Sequence, residues 1–374
     1  INKTGTKPNM LIAGFMLSTA SISMWVSNTA TTIMMLPIAL SVINFLEERK
    51  QNNKLKNLDY FSLALLLSIA YAASIGGLGT LIGTAPNALF AAYMEEHFNI
   101  SVGFFEWMLI GIPMALLMLI LAWLSLTKIT FRLAMKNKVD GVHKIITNEL
   151  RKMGNISQGE KTTAAVFAIV ALAWISRPFI QSTLGLTNIT DTVIAITGAM
   201  TLFILPVSWK KRIFVLDRDW PKTIPWEILI LFGGGLSLAG AISDSGLTNI
   251  IGENLEQFHN WELWTTLLAI TATVIFLTEL TSNTATAIIL LPIGSAFSSV
   301  INVDPNLILI PIVIAASCAF MLPISTPPNA IIFSSGKISV PDMAKAGLSL
   351  NLLAILGISF LSYFFVGSLV ENFK

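Results

Sequence analysis

Ser27-Asn28-Thr29-Ala30-Thr31-Thr32-Ile33-Met34-Met35-Leu36-Pro37-Ile38 is nearly repeated, 255 residues later, by Ser282-Asn283-Thr284-Ala285-Thr286-Ala287-Ile288-Ile289-Leu290-Leu291-Pro292-Ile293. Each stretch is a cluster of small polar side chains inside an apolar run. One such cluster is explained by helix packing. Two in corresponding places point instead to internal repeats with a binding site at the bilayer midplane.

The surrounding composition sets the medium. The chain of 374 residues is 54% hydrophobic and 12% charged, with a mean hydropathy of +0.74. Soluble domains carry about 25% charged residues. The sequence therefore predicts an all-α polytopic membrane protein. The single cysteine, Cys318, excludes an internal disulfide and a thiolate metal site. His97, His143 and His259 lie far apart, which argues against a histidine metal or catalytic cluster. No nucleic-acid signature is present.

Apolar segments fall at 10–46, 60–93, 106–127, 163–183, 191–208, 225–245, 263–300, 306–333 and 347–370. A spanning helix needs roughly 20 residues. Segments 10–46 and 263–300 are nearly twice that and carry their polar cluster near the middle. They read as helical hairpins with polar tips. Segments 60–93 and 306–333 are broken late by glycine and proline and read as discontinuous helices. With the N-terminus inside and the hairpins not crossing, all of the 23 Lys and Arg residues except Arg177 and Lys374 fall on the cytoplasmic side. The hairpins then enter from opposite faces, as inverted-topology repeats require. Short limbs and polar tips favour re-entrant hairpins. The expected division is a first repeat over 1–127, a cytoplasmic amphipathic linker over 128–161 and a second repeat over 162–374. Ile1 is not an initiator, and the three apolar segments before the second hairpin have no counterpart before the first. About three or more further spans are expected upstream.

Non-helical backbone at membrane depth leaves peptide groups unpaired, at several kcal/mol each. It is tolerated where it lines a cavity or coordinates a ligand. Freed carbonyls suit a hard cation, and helix N-termini suit an anion. Asn28 and Asn283 can turn an amide oxygen toward a cation and an NH2 toward a carboxylate. Ser23 and Thr278, also 255 apart, supply matched hydroxyls about one helical turn earlier. The discontinuous helices carry Thr84-Ala85-Pro86-Asn87 and Thr326-Pro327-Pro328-Asn329. A polar-tipped hairpin beside a broken helix, twice, predicts two cation sites flanking one substrate. Glu279 stands where the first hairpin has Met24, so a local structural or pKa-tuned role is preferred over a proton relay or cation ligand. Trp107, Trp123, Trp209, Trp226, Trp261 and Trp264 read as interfacial anchors, and Trp25 as packing for the first tip. No basic residue lies deep in any span. An anionic substrate must therefore be neutralised by bound cations and helix ends.

At these residues the chain resembles the divalent-anion:sodium symporter family, which includes the INDY-type dicarboxylate carriers. The resemblance covers essentially all 374 residues and is most specific at the paired Ser-Asn-Thr tips. It implies an elevator-type transporter that forms homodimers when full length, and a chain that lacks the family's first scaffold helices. It implies at least two sodium ions as coupling ions. Ser23, Ser27, Asn28 and the backbone around Gly76 would hold one; Thr278, Asn283 and the backbone around Ser325 would hold the other. Asn28, Thr29, Asn283 and Thr284 would grip a dicarboxylate, with Thr326 and Pro327 nearby. The implied activity is sodium-coupled symport of a C4-dicarboxylate such as succinate across a bacterial inner membrane, with the N-terminus inside and the C-terminus outside. Exchange, or carriage of sulfate or tricarboxylates on the same fold, is the alternative. A channel is disfavoured by midplane hairpins. An intramembrane enzyme is disfavoured because no His/Asp, Ser/Lys or metal constellation lies at membrane depth.

Overall fold

A computed structural model of the chain describes residues 7–50, 58–133, 147, 151 and 154–367, apart from 187, 211, 218, 225, 248, 249, 251, 252, 254–256 and 258. Most of the expected linker over 128–161 lies outside the described residues. The described chain is mostly helical, as an integral membrane protein of this composition must be.

The first polar cluster sits at a turn between α1 (Pro8–Ser23) and α2 (Asn28–Lys50). α3 (Leu58–Gly77) and α4 (Ala85–Phe98) follow, separated by the glycine-rich stretch, and then α5 (Phe104–Leu124), which runs into a π-helical turn over Ser125–Thr130. α6 (Gln158–Leu184) starts at a capping box between Ser157 and Glu160, which satisfies two otherwise orphaned amides. α7 (Asp191–Ile204) and α8 (Trp226–Asp244) precede the second cluster. That cluster lies between α9 (Leu263–Thr278) and α10 (Asn283–Val300). α11 (Pro305–Ala316), α12 (Pro327–Phe333) and α13 (Val340–Leu361) complete the order. Prolines open α1, α4, α11, α12 and α13, where a missing amide hydrogen costs nothing.

Among the described residues, six helical segments are long and apolar enough to cross a bilayer: Asn28–Glu48, Leu58–Gly77, Phe104–Thr130, Gln158–Leu184, Asn283–Val300 and Val340–Val366. α1 and α9 have 16 residues each, about 24 Å of helix against a hydrocarbon core of about 30 Å. The short-limb expectation thus fits the entering limbs. The exit limbs, α2 and α10, are long enough to span. The segment expected over 191–208 is a 14-residue helix ending before Pro206, where a small antiparallel ribbon pairs β1 (Pro206–Ser208) with β2 (Ile213–Phe214).

The core is built on α3 and α11, both buried along nearly their whole length. α3 packs on α1, α2 and α5; α11 packs on α9, α10 and α13. The hairpins then cross over. α2 packs on α12, and α10 packs on α4, so each exit limb rests on the broken helix of the other half. At one edge, Arg177 pairs with Glu106 at 3.3 Å and Asp191 at 3.1 Å, and Phe104 donates its amide to Asp191, which joins α5, α6 and α7. Trp25 stacks on Phe104 and meets Phe167 edge-on, packing the first tip as the sequence suggests.

Two glycines let helices press directly on the breaks. A Cβ on Gly111 of α5 would lie 2.4 Å from the Leu78 carbonyl oxygen, and one on Gly347 of α13 would lie 2.3 Å from that of Phe320. Both obstacles are backbone and cannot rotate away. Gly111→Ala and Gly347→Ala are each expected to destabilise the protein by roughly 1–3 kcal/mol through overpacking. Thermal unfolding in detergent checks this; unchanged midpoints would refute the close approach.

Candidate functional site

Each tip is a helix start. Ser27 accepts a hydrogen bond from the Ala30 amide at 3.3 Å, and Ser282 accepts one from the Ala285 amide at 3.1 Å. Serine at this position satisfies a donor that the first turn leaves unpaired. The starts of α2 and α10 therefore point their remaining amides and positive dipole ends at the tips, an arrangement suited to anions.

Behind each tip, three oxygens converge. Ser23 Oγ lies 2.6 Å from Asn28 Oδ1 and 2.7 Å from the Ala73 carbonyl. Thr278 Oγ1 lies 3.0 Å from Asn283 Oδ1 and 2.7 Å from the Ala316 carbonyl. A hydroxyl has one hydrogen to donate, so it satisfies one of its two neighbours at a time. A hard monovalent cation is the complementary guest for such a cluster of uncharged oxygens. Among the described residues no three His, Cys, Asp or Glu side chains come together, and no lysine or arginine is buried.

The remaining expected residues are placed as follows. Thr29 and Thr284 are half-buried in the first turns of α2 and α10. Thr326 caps α12 by accepting from the Asn329 amide, and Pro327 opens that helix. Gly76 faces α1: a Cβ there would lie 2.5 Å from the Ala20 carbonyl. Its neighbour Gly77 faces the tip, where a Cβ would lie 2.7 Å from Asn28 Oδ1. Gly77, within the backbone stretch expected around Gly76, is thus the glycine that gives the first tip its room. Ser325 directs its hydroxyl to Glu279 Oε2 at 2.9 Å.

Glu279 accounts for the shape of the second break. Its carboxylate is buried and accepts from the amides of Phe320, Met321 and Leu322 at 2.6, 2.9 and 3.2 Å, and from Asn351 Nδ2 at 2.8 Å. Four N–H donors thus converge on it, and the Ser325 hydroxyl, which also lies 2.6 Å from the Leu322 carbonyl, can supply a fifth, the environment of an acceptor-only carboxylate. In the first half, Leu78 and Gly79 donate their amides to the Ile75 and Gly76 carbonyls, and α3 continues to Gly77. In the second half the carboxylate takes the amides and α11 stops at Ala316. The local structural role expected for Glu279 is what the geometry supports. Trp107 departs from expectation: it is fully buried, and its indole donates to the Leu78 carbonyl at 2.9 Å. The Tyr71 hydroxyl does the same for Phe320 at 3.0 Å.

Glu279→Gln keeps the shape but turns an NH2 toward amide donors. A loss of about 2–4 kcal/mol is expected, the scale for breaking a buried charge-assisted network. Amide exchange over 320–322 should accelerate in parallel. A variant with wild-type stability and protection would refute the fastening role.

Residues 1–369 match the family described as the sodium:sulfate symporter transmembrane region. The chain is 41% identical over 369 residues to the sodium-dependent dicarboxylate transporter SdcS of Staphylococcus saprophyticus, covering 98% of this chain and 71% of that protein. It is 40% identical over 367 residues to the protein of the same name from Staphylococcus aureus USA300, covering 97% of this chain and 70% of that one. These are transport proteins and not enzymes. The chain belongs to the sodium:sulfate symporter transmembrane family.

Proposed function

We propose that this protein is a secondary active transporter that couples sodium to the uptake of a divalent anion, with a C4-dicarboxylate such as succinate as substrate. The observation that carries this reading is the pair of matched oxygen clusters, Ser23–Asn28–Ala73 and Thr278–Asn283–Ala316, each behind a helix start. The names of the staphylococcal relatives, which specify sodium and dicarboxylate, support it.

The physical argument is neutralisation. A dianion far from water needs countercharge. No buried lysine or arginine among the described residues provides it. A sodium ion about 4 Å from a carboxylate contributes roughly 4 kcal/mol at an effective dielectric near 20. Two such ions, with the dipole ends of α2 and α10, make entry of the anion conditional on entry of sodium. In this reading Ser23, Ser27, Asn28 and the backbone near Gly76 hold one ion. Thr278, Asn283 and the backbone near Ser325 hold the second. The amides of Asn28 and Asn283 and the hydroxyls of Thr29 and Thr284 face the carboxylates, with Thr326 and Pro327 at the rim.

The finer architecture follows the same reading. The hairpins over 10–46 and 263–300 are re-entrant parts of two inverted repeats, joined by the linker over 128–161. They move together in an elevator fashion within a homodimer. The protein resides in a bacterial inner membrane, with the N-terminal end of the first repeat facing the cytoplasm and the C-terminus outside. The crossing of α2 onto α12 and α10 onto α4 supports one jointly moving body.

In proteoliposomes, succinate uptake should collapse when choline replaces external sodium. Asn28→Ala and Asn283→Ala should each lower it at least about tenfold, the cost of one lost polar contact in a desolvated site. Excess sulfate should compete weakly. Uptake that persists without sodium would refute the coupling, and stronger competition by sulfate than by malate would reassign the substrate.

A further inference from the structure

The Thr-x-Pro-Asn motifs end on two asparagines, Asn87 and Asn329, that the proposed ion and substrate contacts do not use. Both are fully buried. Asn87 donates its side-chain NH2 to the carbonyls of Gly77 at 3.0 Å and Thr80 at 2.8 Å, 10 and 7 residues earlier. Asn329 donates to the carbonyls of Ala319 at 3.2 Å and Leu322 at 3.0 Å, again 10 and 7 residues earlier. The two clamps coincide atom for atom, although the glycines of the first break (Gly77, Gly79, Gly83) are replaced by Ala319, Met321 and Ser325 in the second.

Only a carboxamide can do this at this reach. It offers two N–H groups in a fixed fork without a charge. Aspartate has the same shape but only accepts, and leucine offers no donor. The threonine and proline ahead of each asparagine set a helix start that places it in the first turn of α4 or α12, facing back over the loop that precedes its own helix. Each clamp closes on the segment that meets a tip. Gly77, whose carbonyl Asn87 holds, is the residue that abuts the Asn28 amide. Ala319 and Leu322 follow directly on the stretch that begins at the Ala316 carbonyl, the partner of Thr278.

We infer that Asn87 and Asn329 are positioning residues, each setting the sodium affinity of its own half by fixing the carbonyls of the adjacent helix break. The inference rests on the sodium-coupled reading given above. A purely scaffolding residue would change the amount of folded protein. A positioning residue changes how much sodium the folded protein needs.

The test uses the purified full-length transporter in proteoliposomes, with succinate uptake measured against sodium concentration. Asn87→Ala and Asn329→Ala should each raise the sodium concentration for half-maximal uptake about fivefold or more, the scale of one or two lost hydrogen bonds. Hydrogen exchange should accelerate over 77–83 in the Asn87 variant and over 319–325 in the Asn329 variant, without crossing over. If an alanine variant does not fold, Asn87→Gln or Asn329→Gln, which keeps the carboxamide but displaces it by one methylene, takes its place and should shift the sodium requirement in the same direction. A folded variant whose sodium requirement stays within about twofold of the wild type overturns the inference while leaving the sodium-coupled reading intact. A wild-type protein whose uptake ignores sodium overturns both.

Discussion

A peptide group that leaves its helix inside hydrocarbon must find another partner, and this need governs the two broken helices. The carbonyls of residues 78 and 320 illustrate the solution. Each accepts from a large aromatic side chain, Trp107 or Tyr71, and each is pressed by a helix that carries glycine at the contact. The amides nearby are satisfied by backbone in one half and by Glu279 in the other. The peptide groups of the breaks thus find partners or close contacts from α3, α5, α13 and the end of α9.

Held breaks are what make the tips useful. A hydroxyl, an amide oxygen and a main-chain carbonyl converge from three separate stretches of chain at each site. Their separations stay fixed only if both the hairpin turn and the break are fixed. Serine caps secure the turns, and the buried clamps secure the breaks. Every group in each cluster is uncharged, so under the proposed reading affinity for a cation would rest on geometry rather than on a carboxylate's field. That suits reversible binding of an ion present at high concentration.

The tips and the Thr-x-Pro-Asn motifs were legible in the sequence because they recur. Glu279 was harder: it occurs once, and its partners are backbone amides about 40 residues away, which carry no side-chain signature. Trp107 resembled an interfacial anchor because a burial depth set by α3 and Gly111 leaves no local trace. Gly76 faces α1 and Gly77 faces the tip, a difference of about 100° around one helix that composition does not show. The segment over 191–208 looked like a span because apolar residues continue to Val207, while Pro206 ends the helix and starts a ribbon. The crossing of each hairpin onto the opposite half has no sequence signal, since it depends on how finished helices pack.

In the first half a Cβ on Gly79 would lie 2.9 Å from the Met24 side chain, so the thioether lies against the bare glycine; the corresponding positions of the second half are Met321 and Glu279, joined by the hydrogen bond from the Met321 amide. One half leaves room with glycine and fills it with a thioether; the other fills it with a carboxylate. The same local shape at the two breaks is therefore reached with different side chains, and a substitution at one break meets different neighbours from its counterpart at the other.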